Sequence, residues 1–164
     1  MKTLDKQSFR IIVVLGLFSL ISGIAGSSTN LALPKIAIDL HITSGSATWV
    51  VQIGLITTTI LLVVFGHLGD LVSKDLIFLY GGILFTIGSA ITGIAMFFWL
   101  MLIGRIIQSI GSAMIMANSM GIVTENFPNK TRAEALAVIS MFTSVGTISG
   151  PALGGLVMSI SSWR

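Results

Sequence analysis

The chain has no cysteine among its 164 residues. Disulfides and thiol chemistry are therefore excluded, and the redox compartment is left open. Charge is nearly as scarce. Only 9% of the residues are charged, against roughly a quarter in ordinary soluble domains. The two histidines, His41 and His67, fall at opposite ends of one apolar stretch. They cannot share a metal, and both read as loop residues. Nothing pairs a nucleophile with a base, clusters metal ligands or builds a phosphate loop, so neither an enzyme nor a bound cofactor is expected. The net charge of +3 does not suggest nucleic acid, because the basic residues sit at the ends of apolar stretches, where membrane topology accounts for them.

What fills the chain instead is apolar: 54% of the residues, with a mean hydropathy of +1.00. Residues 11–34, 40–69, 76–104, 106–124 and 135–163 carry no Asp, Glu, Lys or Arg. A soluble domain of this length could not hide so much apolar surface. The first stretch is too long for the apolar part of a signal peptide and lacks a clear cleavage site, so it reads as a retained helix. The pattern predicts an all-α, polytopic transmembrane bundle with spans over about 11–33, 49–66, 76–95, 99–123 and 135–160. Pro34 is expected to close the first span, and 35–48 to form a polar connection.

Basic residues orient the bundle. With the N-terminus inside, Lys2, Lys6, Arg10, Lys74, Lys130 and Arg132 are cytoplasmic, while Lys35 and Arg164 lie outside. Trp49, Trp99 and Trp163 then all fall at the outer interface, where indoles prefer to sit.

Polar and small residues on these helices mark candidate sites. Ser19, Ser22, Gly23, Gly26, Ser27 and Asn30 form one stripe on the first span, readable as a packing seam or as a cavity lining. In the fourth span Arg105 lies six residues beyond Trp99, roughly 9 Å below the interface at 1.5 Å per residue. An arginine at full membrane depth costs about 2.5–3.5 kcal/mol. Gln108, Ser109, Ser112 and Ser119 continue its face, which favours a wet cavity over an interfacial anchor. Between the second and third spans, Gly66 and Gly69 permit a tight turn, and Asp70 can cap the third helix or pair with a neighbouring cation such as Lys74. In the fifth span Gly146, Gly150 and Gly154 recur at four-residue intervals, with Pro151 and Gly155 beside them. They leave a strip of bare backbone for another helix, as a packing seam or a hinge.

Taken in order, these residues resemble the major facilitator superfamily. Gly66-x-Leu-Gly-Asp70 with Lys74 resembles its motif A, Arg105-x-x-Gln108-x-x-Gly111 its motif B, and Gly146-x-x-x-Gly150-Pro151-x-x-Gly154-Gly155 its antiporter motif C. Asn30-Leu-Ala-Leu-Pro34, the 126–135 connection and Ser162-Trp163-Arg164 look like the fourteen-helix drug:proton antiporters. The sequence departs from that pattern at Leu71, Ser73, Asp75 and Ser109, and Ala25 stands where the subfamily often carries an acid. The resemblance implies a secondary transporter of the cell membrane that exports amphipathic, cationic drugs as protons enter. Its partners are then the lipid bilayer, a small-molecule substrate and protons. Carriers of this type use two six-helix halves built from three-helix repeats. Five spans are thus expected to be the amino-terminal part of a longer carrier, or a truncated reading frame, that needs the missing carboxy-terminal helices for transport. A carrier of another solute, or a non-transporting protein that associates with a full-length carrier, are the alternatives. No carboxylate falls within a predicted span, so the proton carrier is absent or lies beyond residue 164.

Overall fold

A computed structural model describes residues 6–160, which form five α-helices and, among the described residues, no strand. They are α1 (Lys6–Asp39), α2 (Ser44–Leu71), α3 (Lys74–Gly93), α4 (Phe98–Asn126) and α5 (Asn129–Ile160). The shortest has 20 residues, about 30 Å at 1.5 Å each, which matches the hydrocarbon thickness of a bilayer. All five are apolar and long enough to cross one. The expectations at Lys2, Ser162, Trp163 and Arg164 lie outside the described residues.

α1, α2 and α4 run past the predicted span limits at both ends and α5 begins before its limit, whereas α3 ends at Gly93, short of the expected 95. Pro34 does not close α1 as expected; it lies inside the helix, which continues to Asp39. A proline removes one backbone donor but need not end a helix when neighbouring turns hold. The helix stops instead at His41, whose φ of 51° places it in the left-handed region. There the His41 and Ile42 amides bond back to the Ile38 and Ala37 carbonyls at 3.1 and 3.0 Å, closing a Schellman end. Thr43 caps α2 by accepting from the Ser46 amide at 3.1 Å.

Packing radiates from α4. Twelve of its 29 residues are buried, against four of 28 in α2, so α4 is the central helix. Its most extensive packing is with α3 and α2, while α1 packs chiefly on α5. One apolar cluster joins Leu15, Phe78, Phe85, Ile115, Val123 and Ile139, and a second gathers Ile36, Val50 and Met101 near the other end. The exterior stays apolar, with Val63 77% and Ile148 79% exposed. Most hydroxyls inside the spans donate to carbonyls of their own helix, as Thr57 does to Ile53 at 2.7 Å and Thr86 does to Gly82 at 2.9 Å. Polar side chains thereby avoid facing lipid unsatisfied.

Candidate functional site: a polar cavity around Arg105

Both polar stripes of the sequence turn toward a common space. A cavity of about 420 Å³ opens between α1, α2 and α4, and Arg105, Gln108, Ser109, Ser112, Ser27 and Asn30 all line it, with Ser22 and Thr58. Ser19 and Ser119 fall on a second cavity of about 390 Å³, bounded also by Ser140 and Thr143 of α5. The α1 stripe is seam as well as lining. A Cβ on Gly23 would stand 2.9 Å from the Thr143 carbonyl and 3.0 Å from the Thr147 amide.

Arg105 is 8% exposed and is held from two sides. Its Nε donates to the Val50 carbonyl of α2 at 3.1 Å, and its Nη1 donates to Gln108 Oε1 at 2.6 Å. Gln108 Nε2 donates onward to Ser89 Oγ of α3 at 2.7 Å, and Ser89 Oγ donates to the Phe85 carbonyl at 2.7 Å. One polar chain therefore crosses three helices with Arg105 at its head. Among the described residues no carboxylate forms an ion pair with it. Val50 and Ser89 could not be picked out from sequence, because a backbone carbonyl has no sequence signature and Ser89 is one of many serines.

The glycines of α5 meet α1. Gly146 and Gly150 are buried; a Cβ at Gly146 would overlap the Leu20 carbonyl, and one at Gly150 the Ser27 hydroxyl. Ser28 Oγ donates to the Gly150 carbonyl at 2.7 Å. At Gly154 the added carbon would lie 3.1 Å from Ser28 Cβ, and at Gly155 a comfortable 3.6 Å from Leu31. Pro151 points away, exposed, inside an unbroken helix. The strip is thus the contact surface of the α1–α5 pair, and it adjoins the Arg105 cavity through Thr147.

At the far end, Gly66 and Gly69 do not make the expected turn, because α2 runs through both to Leu71. Ser73, not Asp70, caps α3. Gly69 instead permits a close approach: any Cβ there would overlap Asn118 Oδ1 of α4. Asn118 is 1% exposed and donates to the Phe65 and Met114 carbonyls at 3.2 and 2.8 Å. A lone asparagine in an apolar span is a signal that a sequence reading can use. Asp70 pairs with Lys74 at 2.6 Å, and Lys74 reaches Glu125 of α4 at 2.7 Å. The hydrogen bond from Lys74 holds the Asp70 carboxyl below its ordinary range, and the bonds that Lys74 donates to Asp70 and then to Glu125 raise Lys74.

The sequence that builds this helix bundle matches the family model of the Major Facilitator Superfamily over residues 15–164. The chain belongs to the major facilitator superfamily. Among its relatives, the Riboflavin transporter RibZ of Clostridioides difficile (strain 630) is 30% identical over 96% of this chain and 35% of its own length. The Multidrug transporter protein MdtP of Bacillus subtilis (strain 168) is 30% identical over 97% of this chain and 30% of its own. The chain thus spans about a third of the length of the curated major facilitators it matches. Those relatives are transporters by name, which places this chain in a family of multi-pass membrane transporters rather than enzymes.

Proposed function

We propose that the chain supplies part of the substrate cavity of a secondary carrier that exports amphipathic compounds across the cell membrane as protons enter. The observation that carries this reading is the Arg105 cavity: a space between helices that Arg105, Gln108 and several hydroxyl side chains line, in a bundle whose outer surfaces are apolar. Ionisable groups at membrane depth are costly and cluster along substrate and ion pathways. The name of MdtP supports drug export, and the α1–α5 glycine strip supports the antiporter branch through its resemblance to motif C. Helices outside this chain would complete the cavity and supply the proton-carrying carboxylate. The N-terminus would face the cytoplasm, since Lys6, Arg10, Lys74, Lys130 and Arg132 share one end of the bundle.

The test is proton-coupled flux in liposomes that contain the full-length carrier and a trapped pH indicator. Addition of a transported compound should dissipate an imposed proton gradient, and the gradient should in turn drive the compound uphill. A carrier that moves its solute without moving protons would be a facilitator of another kind.

A further inference from the structure

Four polar or charged side chains are buried among the described residues: Arg105, Gln108, Ser109 and Asn118. The first three belong to the cavity described above. Asn118 stands apart, nine residues beyond Ser109 on α4, roughly 14 Å along the helix at 1.5 Å per residue. Its carboxamide grips a single turn of α2. Nδ2 donates to the Phe65 carbonyl at 3.2 Å and to the Met114 carbonyl of its own helix at 2.8 Å. Oδ1 is buried, has no hydrogen-bond partner among the described residues, and occupies the space that a Cβ on Gly69 would need. Phe65 stands four residues before Gly69, so its carbonyl already accepts the Gly69 amide in the helix ladder. Asn118 therefore adds a shared bond and strands an oxygen, which costs stability. An apolar side chain of similar size would avoid that cost.

What the carboxamide supplies is a position. A second close fit lies further along the same pair, where a Cβ on Gly54 would stand 2.9 Å from Ser109 Oγ. Sliding α2 by one turn would bring Phe65 against Asn118 Oδ1 and Val50 against Ser109. Neither side chain fits where a single added carbon does not. Sliding it the other way would set Ser73, beyond the end of α2, against Asn118. A buried polar residue fixes register in coiled coils in the same manner, at a cost in stability. We propose that Asn118 is a positioning residue that pins α2 in one register on α4. The pin places the α2–α3 connection, so that Lys74, paired with Asp70, reaches Glu125 of α4. At this end α2 and α4 then move as one body. The proposal goes beyond the transport reading, because it depends on neither cargo nor protons.

The experiment measures the distance between spin labels on Val63→Cys of α2 and Ile103→Cys of α4, both exposed. Pulsed electron resonance on the full-length carrier in nanodiscs reads it without any flux. The native register should give one narrow distance, and a broad spread would overturn the pin at once. Asn118→Leu should add a population displaced by up to about 5 Å, one helical turn, while thermal stability holds or rises. A side chain that merely packs would do the opposite, lowering the melting temperature and keeping one distance; that result would sink the proposal. Gly69→Ala keeps Asn118 but fills its seat, and should displace the distance as well. An unchanged distance there would overturn the pin even if Asn118→Leu failed to fold.

Discussion

At the scale of single residues, Arg105 carries the most weight. Its depth and its polar face were legible in the sequence, because a charge inside a span is expensive and therefore purposeful. Gln108 followed from helical spacing. Val50 and Ser89 did not, since they reach Arg105 only through the packing of α2 and α3 on α4. Loss of the guanidinium strands the Gln108 acceptor, which costs about 1–3 kcal/mol, partly offset by removing a buried charge. Arg105→Ala in the full-length carrier should therefore abolish proton-driven efflux while protein still reaches the membrane, as measured by dye export and surface yield. Arg105→Lys keeps the charge but loses the fork that serves Val50 and Gln108 together, and should retain at most a fraction of the rate. Normal transport with an unchanged pH profile in both variants would make Arg105 an interfacial anchor. His41 is a smaller case. Its left-handed backbone favours glycine, so His41→Gly should leave thermal stability in detergent unchanged or raise it by up to about 1 kcal/mol.

At the scale of helices, the glycines of α5 explain why α1 and α5 lie so close. Their four-residue spacing was readable, but which helix they face was not, because a bare strip fits any partner. The structure ranks them. Gly146 abuts backbone that cannot retreat, whereas Gly155 has ordinary van der Waals room. Gly146→Ala should lower detergent thermal stability by about 1–3 kcal/mol, while Gly155→Ala should be nearly neutral. Equal effects at both sites would mean that the α1–α5 contact is not held as described. The glycines of the α2–α3 hairpin misled the sequence reading for the same reason: Gly69 looks like a turn residue but serves the approach of Asn118. The same hairpin is tied to α4 by Lys74, between Asp70 and Glu125. Asp70 has its carboxyl held down, so its contribution is present above the ordinary carboxylate range and fades as pH falls through its lowered value. Lys74 is raised, so its contribution persists below the ordinary lysine value and fades as pH climbs through the raised one. The tie should hold between the ordinary carboxylate range and the ordinary lysine range. Within that window, salt should weaken it because all three groups are near water. Amide protection at the α2–α3 hairpin, taken relative to the intrinsic exchange rate at each pH, should fall below that window in the wild type. In Lys74→Gln it should already be low at neutral pH.

At the scale of the whole molecule, composition decided the fold class. A chain that leaves Leu55, Ile60, Val63 and Ile148 well exposed needs lipid around it, and the five spans could be counted from charge-free runs alone. The central place of α4 was not legible, because no run of residues states its neighbours; it emerges from small residues such as Gly81, Gly88 and Gly111 that let α3 and α4 touch. The short connections make successive helices antiparallel, so the bundle has two chemically different ends. One gathers Lys6, Arg10, Lys74, Lys130 and Arg132; the other holds Lys35 with Trp49 and Trp99. Positive residues stay inside and indoles favour an interface, so the first end should be cytoplasmic. The absence of cysteine makes this simple to test. Ser44 and Asn129 are exposed at opposite ends, and a single thiol can be placed at either without touching a core contact. On intact cells a membrane-impermeant maleimide should label Ser44→Cys at once and Asn129→Cys only after permeabilisation. The reverse pattern would turn the bundle over. It would set the cationic end outside and remove the electrostatic reason for an inward N-terminus.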